Sequence, residues 1–255
     1  MEGAPHLTMR GLRLQAYKVP MNDWLEAISA SGALSTDAAE ELEHRGFTVI
    51  RDVLPPSRLE RLRHAYDAAM SSASGAELKI GSTTTRLGDF INRGEEIDAL
   101  YTFPPLLDAC RRIIGRPFKL SSLHARTLRP RSLNGKLHVD VRRDSADWPL
   151  AGFILMVDDF RPENGATRFV PGSHRWLFPP ETHLSEVQAC GVAGSLIIFN
   201  GSTWHDHAMN TSDAPRRSLQ GAFIPRDGKG EDFGARLGPE TRARLTSLAQ
   251  YVLAI

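Results

Sequence analysis

From about Pro117 onward the sequence is built of short, β-rich segments that glycine, proline or asparagine interrupts every few residues. Such frequent interruption leaves no room for long helices and favours strands joined by tight turns. The predicted strands are Phe118–Leu128, Lys136–Val141, Ala151–Asp158, Thr167–Val170, Ser195–Phe199 and Arg217–Ile224. The turn signals between them are Asn134-Gly135, Asn164-Gly165, Pro171-Gly172 and Asn200-Gly201. A sandwich or barrel is therefore predicted for residues 117–226.

Residues 1–116 are predicted to form a mostly helical cover with one early strand. The strand is Phe47–Leu54, which Gly46 and two prolines bound. Ser57 and Glu60 form a capping-box pattern that predicts the start of the helix after it. Further helices are predicted at Asn22–Ala30 and Thr36–His44, and at Gly238–Leu253 within a C-terminal helical segment, 227–255. We expect one domain over residues 1–255.

Charge and composition exclude several classes of protein. Lys and Arg number 31 against 30 Asp and Glu, a net charge of +1, whereas nucleic-acid binders usually present a basic face. No run approaches the roughly 18 apolar residues of a membrane span, and Met1–Arg10 has no apolar stretch typical of a signal peptide. Two cysteines are too few for a disulfide framework. We expect a soluble, cytoplasmic protein with neither nucleic-acid nor membrane partners.

His138-Val139-Asp140 is the first motif that suggests chemistry. In a strand, residues i and i+2 point to the same face, so the imidazole and the carboxylate would converge. A metal site needs a third ligand, and two histidines with one carboxylate suit Fe(II) and O₂ chemistry. On its own, such a pair is more often an ordinary polar surface feature.

Two later elements supply candidates for the rest of such a site. His205 follows an apolar strand through a turn and would face back into the barrel, and His207 is the alternative third ligand. Arg216-Arg217 opens the last strand, where a planar guanidinium would bind a buried cosubstrate carboxylate through two hydrogen bonds. Spacing alone leaves both pairs of alternatives open.

In their order along the chain these motifs resemble the phytanoyl-CoA dioxygenase-like family, whose members are Fe(II)- and 2-oxoglutarate-dependent oxygenases. The resemblance covers about residues 38–226. It includes Gly46–Arg51, His138-Val139-Asp140, Asp158-Asp159, Asn164–His174, Gly194-Ser195-Leu196, His205, Asn210 and Arg216. It implies a mainly β fold with flanking helices around a double-stranded β-helix (jelly-roll, cupin-like) core.

The resemblance also assigns roles by position. It implies that His138, Asp140 and His205 are the iron ligands, and that Arg216 pairs with the distal carboxylate of 2-oxoglutarate. The register of Asn210 favours His205 over His207 and Arg216 over Arg217.

The sequence departs from the family immediately after the distal histidine. Small residues are common there in relatives, whereas this chain has Asp206 and His207. The position of His207 often carries a hydroxyl near the cosubstrate, so His207 is a candidate pocket residue. Arg126 is a second candidate, because it shares a strand face with His124 and would reach cosubstrate or substrate; a structural salt bridge is the other interpretation.

We therefore expect an enzyme that uses Fe(II), 2-oxoglutarate and O₂ to hydroxylate or otherwise oxidise a small molecule, in a setting such as natural-product biosynthesis. Loops at Ala76–Arg93 and Asp144–Pro149 are predicted to control access to the pocket, and Pro171–His174 to be a scaffold turn. The alternatives are a cupin-like metalloenzyme, for example an isomerase, and a metal- or ligand-binding barrel that consumes no 2-oxoglutarate. The sequence does not indicate the oligomeric state.

Overall fold

A computed structural model describes residues 24–75, 77–177 and 184–255, so Asn22, Asp23 and Ala76 of the predicted elements lie outside it. In the described part the helices are α1 (Trp24–Ser31), α2 (Thr36–Arg45), α3 (Pro56–Ser72), α4 (Glu95–Tyr101), α5 (Pro104–Ile114), α6 (Phe233–Arg236), α7 (Pro239–Arg244) and α8 (Ser247–Leu253). The strands are β1 (Phe47–Ile50), β2 (Leu78–Ile80), β3 (Thr84–Leu87), β4 (Phe118–Leu128), β5 (Ala151–Met156), β6 (Thr167–Phe169), β7 (Val187–Ala189), β8 (Leu196–Asn200), β9 (His205–His207) and β10 (Arg216–Pro225).

These strands form two antiparallel sheets. The large sheet has the order β1-β8-β5-β10-β4-β3-β2, and the small sheet has the order β7-β6-β9. Three strands of the large sheet, β1 to β3, come from the region before residue 117 that was predicted to be mostly helical with one strand. The predicted combination of a β core and flanking helices is confirmed. None of the described helices has the length and apolar character needed to cross a membrane.

Alternation along β4 and β10 separates the core from the cavity. On β4, Leu123 and Ala125 are buried in the apolar cluster that the helices share with the sheet, and His124 and Arg126 line a cavity on the other face. Because β10 pairs directly with β4, Gln220 lies opposite His124 on this cavity face. The paired strands β4 and β10 therefore have one apolar face, which packs in the core, and one polar face, which forms a wall of the cavity.

An aromatic cluster joins the two sheets. Phe47 of β1 stacks on Phe169 of β6 at 4.3 Å between ring centroids, and Phe169 lies 5.5 Å from Phe199 of β8. The ring of His205 is 4.7 Å from Phe199 and 5.5 Å from Phe169. His205 thus stands at the edge of the apolar packing that holds the sheets together.

The segment predicted as a strand at Lys136–Val141 is not one. Its only ladder contact within the described residues is an isolated antiparallel bridge between His138 and His205. Beyond that bridge, the N–H groups of Asp140 and Val141 both donate to the carbonyl of Gly201. Apart from the bridge, this part of the segment is hydrogen-bonded to the turn at Gly201 and not to a neighbouring strand.

Three other element predictions need correction. The first strand ends at Ile50, not Leu54, because Asp52 has a left-handed φ of 53° and Val53 donates its N–H to Gly194. Helix α3 begins at Pro56 with no side-chain cap, since a proline in the first turn has no N–H to satisfy. The predicted helix Gly238–Leu253 is two helices, because Thr246 accepts a hydrogen bond from Ala249 and starts α8 anew.

The turn between α2 and β1 provides a test of the fold. Gly46 has φ 83° and ends α2, and a Cβ there would lie 2.5 Å from Nδ1 of His174 and 2.6 Å from Oγ1 of Thr203. We expect Gly46→Ala to lower the free energy of unfolding by about 2–4 kcal/mol, through left-handed strain and overpacking. The measurement is chemical denaturation beside Gly75→Ala, where a Cβ meets nothing within 4 Å. Equal stability of the two variants would contradict this expectation.

Candidate metal centre and cosubstrate pocket

Three side chains meet at one end of the cavity. His138, Asp140 and His205 offer ligand atoms that all lie within 4.8 Å of one another, and the described residues contain no other such group. Nε2 of His138 is 3.7 Å from Oδ1 of Asp140, and Nε2 of His205 is 3.8 Å from Oδ2. The structure thus brings together the three residues that the sequence analysis selected, with His205 rather than His207 as the third.

Backbone hydrogen bonds position these three residues. His138 and His205 exchange N–H···O bonds of 3.1 and 2.9 Å across the isolated bridge. The N–H of Asp140 donates to the carbonyl of Gly201 at 2.8 Å, in the turn that leads from β8 to β9. The triad therefore depends on this turn and on one bridge.

Each imidazole is oriented through Nδ1. In His205, Nδ1 lies 2.8 Å from the carbonyl oxygen of Thr203, and in His138 it lies 3.1 Å from that of Lys136. A carbonyl only accepts hydrogen bonds, so Nδ1 carries the proton and Nε2 keeps a lone pair facing Asp140. Both histidines are therefore arranged to bind a metal through Nε2.

Electrostatics distinguish the two histidines. Burial lowers the pKa of His205, which favours the neutral imidazole that a metal requires. The hydrogen bond to Asp206 raises the pKa of His138 against the effect of burial. A proton therefore competes with a metal ion more strongly at His138 than at His205.

Arg216 is the most unusual charge in the cavity wall. The residue is 2% exposed, and its Nε and Nη1 are buried without a hydrogen-bond partner in the described part of the chain. Its guanidinium carbon lies 3.9 Å from the ring centroid of Phe160, and burial lowers its pKa to about 9. A buried cation without a partner is costly, so this site favours an anion.

The guanidinium of the neighbouring Arg217 is paired with two carboxylates. Its Nη2 lies 2.7 Å from Oδ1 of Asp158, and its Nη1 lies 2.7 Å from Oδ1 of Asp67 on α3. These two carboxylates hold Arg217 on the opposite side of β10 from the cavity. Of the two arginines that the sequence offered, only Arg216 has a free guanidinium in the cavity.

His207 and Arg126 both line this cavity, which has a volume of about 300 Å³. His207 is 4% exposed, with Nδ1 3.0 Å from the carbonyl oxygen of Ala208 and Nε2 3.1 Å from Oγ1 of Thr83. Arg126 donates from Nη1 to Oε1 of Gln220 at 3.3 Å. Its carboxylate contact is with Asp206, at 3.9 Å. That separation makes Arg126 a wall residue with a loose ion pair.

A larger cleft of about 790 Å³ adjoins the cavity and shares Ser121, Asp140 and Leu150 with it. Ser145–Asp147 line this cleft, in the segment predicted as an access loop at Asp144–Pro149. The other predicted access segment, Ala76–Arg93, is partly ordered into β2 and β3 instead of being a loop, and it contributes Arg86 to the cavity.

Asp206 is a residue of the site whose role the sequence did not reveal. Its Oδ1 accepts from the N–H of His207 at 2.6 Å, and its Oδ2 lies 3.4 Å from Nδ1 of His138. A Cβ at position 135 would lie 2.1 Å from Cγ of Asp206, so Gly135 provides the space for this carboxylate. The adjacency of Asp206 to His205 was visible in the sequence, but its contact with His138 depends on the turn.

We expect Asp206→Asn to weaken metal affinity about tenfold to a hundredfold, the usual cost of losing a partner that orients a ligand histidine. The measurement is calorimetric titration with Ni(II). Asp213→Asn serves as the control, because Asp213 pairs with Arg131 at the surface and its side chain is 87% exposed. Equal affinities in Asp206→Asn and the wild type would show that Asp206 does not orient His138.

The turn at Pro171–His174 is hydrogen-bonded to the residue that precedes His205. Oγ of Ser173 donates to the carbonyl of Val170 at 2.6 Å and accepts from the N–H of Trp204 at 2.9 Å. Trp204 directly precedes His205. The turn acts as a scaffold, as its sequence indicated.

Comparison with known proteins identifies the family. A sequence model described as phytanoyl-CoA dioxygenase (PhyH) matches residues 42–218, which include the triad and Arg216. The chain belongs to this family. Membership confirms the predicted class, a 2-oxoglutarate-dependent non-haem iron oxygenase.

Curated relatives of this family member carry dioxygenase names. "Dioxygenase trt7" of Aspergillus terreus (strain NIH 2624 / FGSC A1156) is 28% identical over 207 residues, which cover 74% of this chain and 72% of the relative. "Dioxygenase ALT11" of Alternaria alternata is 26% identical over 217 residues, covering 72% and 69%.

Solved structures show the same fold. HygX from Streptomyces hygroscopicus, with nickel and 2-oxoglutarate bound, aligns with a TM-score of 0.66 at 18% identity, covering 78% of this chain and 90% of HygX. SnoK, an alpha ketoglutarate dependent carbocyclase from nogalamycin biosynthesis, aligns at 0.65 and 20% identity, covering 81% and 92%. These likenesses confirm the predicted jelly-roll core.

Proposed function

We propose that His138, Asp140 and His205 hold Fe(II), that Arg216 binds the distal carboxylate of 2-oxoglutarate, and that the enzyme hydroxylates or otherwise oxidises a small molecule with O₂. The observation that carries the proposal is the guanidinium of Arg216, which is buried without a partner in the cavity that the triad also lines. This donor set suits the two groups together, because a carboxylate neutralises Arg216 and a divalent metal neutralises Asp140.

When bound, iron and 2-oxoglutarate would activate O₂, which is the oxidant: one oxygen atom would enter succinate as 2-oxoglutarate loses CO₂, and the other would oxidise the substrate. The chain's own residues bind, orient and exclude water. Asp140 brings the negative charge of the triad, and the Nδ1 bonds of both histidines fix the direction of Nε2. Phe160 covers the guanidinium of Arg216, and Phe169 and Phe199 cover His205, so water has little access from the core side.

The shape of the site supports a small-molecule substrate. A cavity of about 300 Å³ opens beside Asp140 towards a cleft of about 790 Å³, and together they have room for a ligand of moderate size next to the cosubstrate. HygX, crystallised with hygromycin B, and SnoK from nogalamycin biosynthesis have the same fold and support a role in natural-product biosynthesis. The net charge of +1 supports an enzyme without a nucleic-acid partner.

The alternative, a metalloenzyme or binding barrel that does not consume 2-oxoglutarate, gives no role to Arg216. The test is succinate formation from 2-oxoglutarate by the Fe(II)-loaded protein in air, with extracts of candidate substrates present. We expect the wild type to form succinate and His205→Ala to form none above background. Iron binding without any succinate, in the presence of 2-oxoglutarate and extracts of candidate substrates, would favour the alternative.

A further inference from the structure

Strand pairing places two arginines side by side on the cavity wall. β3 pairs with β4 so that Arg86 lies directly opposite Arg126, and β2 adds Lys79 opposite Arg86. Like charges directly opposite each other destabilise a sheet. Three cations in one cross-strand row therefore need a function or an anion that compensates them.

The protein itself provides little compensation. The guanidinium of Arg86 has no hydrogen bond or ion pair with any residue that the structure describes, although the residue lines the cavity. The carboxylate beside Arg126 is that of Asp206, 3.9 Å away, and this group already accepts from His207 and lies beside His138. Most of the positive charge of this wall is therefore left uncompensated.

Buried polar atoms on the same wall also lack partners. Nε of Arg126 and Nε2 of His124 are both buried without a hydrogen-bond partner among the described residues. The Arg126 side chain is only 16% exposed. Burial, reinforced by Arg86, lowers the pKa of Arg126 to about 10, and burial with both arginines lowers that of His124 to about 4. This wall thus favours a ligand that brings negative charge and accepts hydrogen bonds.

Iron and 2-oxoglutarate do not remove this excess. The two charges of Fe(II) and that of Arg216 balance Asp140 and the two carboxylates of 2-oxoglutarate. Asp206 offsets only part of the charge of Arg126, and Arg86 and Lys79 are left over. Because Arg86 is exposed at the cavity mouth, it is placed to attract an anion as it approaches.

We propose that the substrate of this enzyme carries a carboxylate, which binds Arg126 and Arg86 on the β3–β4 wall while the carbon to be oxidised lies towards the triad. The inference rests on the proposed function, because it assigns Arg216 to the cosubstrate and these two arginines to the substrate.

The experiment uses protein loaded with Ni(II) and saturating 2-oxoglutarate, so that no turnover occurs and Arg216 is occupied. The probes are benzoate and hexanoate, each compared with its neutral amide of the same shape by calorimetric titration. We expect each carboxylate to bind at least about tenfold more tightly than its amide, the strength of one charge-assisted hydrogen bond. Equal affinity within both pairs, including no binding by any probe, overturns the proposal.

Variants separate the two arginines from the cosubstrate site. Arg86→Gln and Arg126→Gln are each expected to reduce the preference for carboxylate about tenfold and to change the affinity for 2-oxoglutarate much less. Arg161→Gln is the matched control, since Arg161 pairs with Asp159 at the surface. Loss of 2-oxoglutarate affinity in Arg126→Gln would reassign this residue to the cosubstrate and overturn the proposal.

Thermal unfolding distinguishes a binding role from a structural one. Without ligands, Arg126→Gln is expected to unfold at the wild-type temperature or above, because the variant removes a poorly compensated buried charge. A markedly lower unfolding temperature would make Arg126 a structural residue and overturn the proposal. If 2-oxoglutarate fails to bind wild-type protein, the proposed function itself fails, whereas normal 2-oxoglutarate binding with no carboxylate preference refutes only this inference.

Discussion

Asp140→Ala is expected to abolish turnover. The carboxylate lies 3.7 and 3.8 Å from the two Nε2 atoms and is the one anionic member of the triad. Its removal leaves two neutral imidazoles, which neither balance the charge of a divalent metal nor complete its ligand set. We expect a loss in succinate formation well beyond the tenfold to hundredfold that a missing outer partner costs. Activity and Ni(II) affinity are expected to fall together.

The control for this experiment is Asp147→Ala. Asp147 lines the outer cleft with Asp140 but does not belong to the cluster of possible metal ligands. Its loss is expected to leave metal affinity unchanged. Full activity of Asp140→Ala, or equal effects of the two substitutions on metal affinity, would rule out the triad.

Arg216→Gln is expected to raise the KM for 2-oxoglutarate about tenfold or more. The guanidinium is 2% exposed, so a carboxylate bound to it is shielded from water, and its charge-assisted hydrogen bonds are strong. At saturating 2-oxoglutarate we expect kcat to change much less, because the role proposed for Arg216 is to bind the cosubstrate and not to take part in oxygen chemistry. Steady-state succinate assays over a range of 2-oxoglutarate concentrations measure both constants.

Arg217→Gln is the control for Arg216→Gln, because it removes the same positive charge at the adjacent position. Arg217 bonds to Asp158 and Asp67, so its loss is expected to lower the unfolding temperature and to leave the KM for 2-oxoglutarate close to the wild-type value. A raised KM in Arg217→Gln with an unchanged KM in Arg216→Gln would reverse the assignment. The two variants therefore test one of the two choices that the spacing of the sequence left open.

The parts of the site that could be predicted from the sequence are those fixed by local spacing. His138 and Asp140 are two residues apart, and an extended backbone brings them together whether or not it belongs to a sheet. The structure brings the two side chains to within 3.7 Å although the predicted strand is absent, since Lys136–Val141 pairs with the other described residues only at the His138 bridge. The spacing of residues predicts on which side of an extended segment a side chain lies, but it does not predict whether a neighbouring strand pairs with that segment.

Contacts between distant segments could not be predicted. The ion pairs that distinguish Arg217 from Arg216 are with Asp158 and Asp67, and Asp67 is 150 residues from Arg217 in the chain. Strands β2 and β3 are short and partly polar, so they lack the alternation that indicates a strand. Because these strands were not predicted, the position of Arg86 opposite Arg126 was hidden as well.

Anaerobic titration with Fe(II) and then 2-oxoglutarate, followed by visible absorption, tests the central claim most directly. We predict a weak charge-transfer band that requires both additions, disappears in His205→Ala and needs higher 2-oxoglutarate concentrations in Arg216→Gln. These results would show that the metal lies on the triad and that the cosubstrate binds it while held by Arg216. Iron binding by the wild type with no band at any 2-oxoglutarate concentration would contradict the claim.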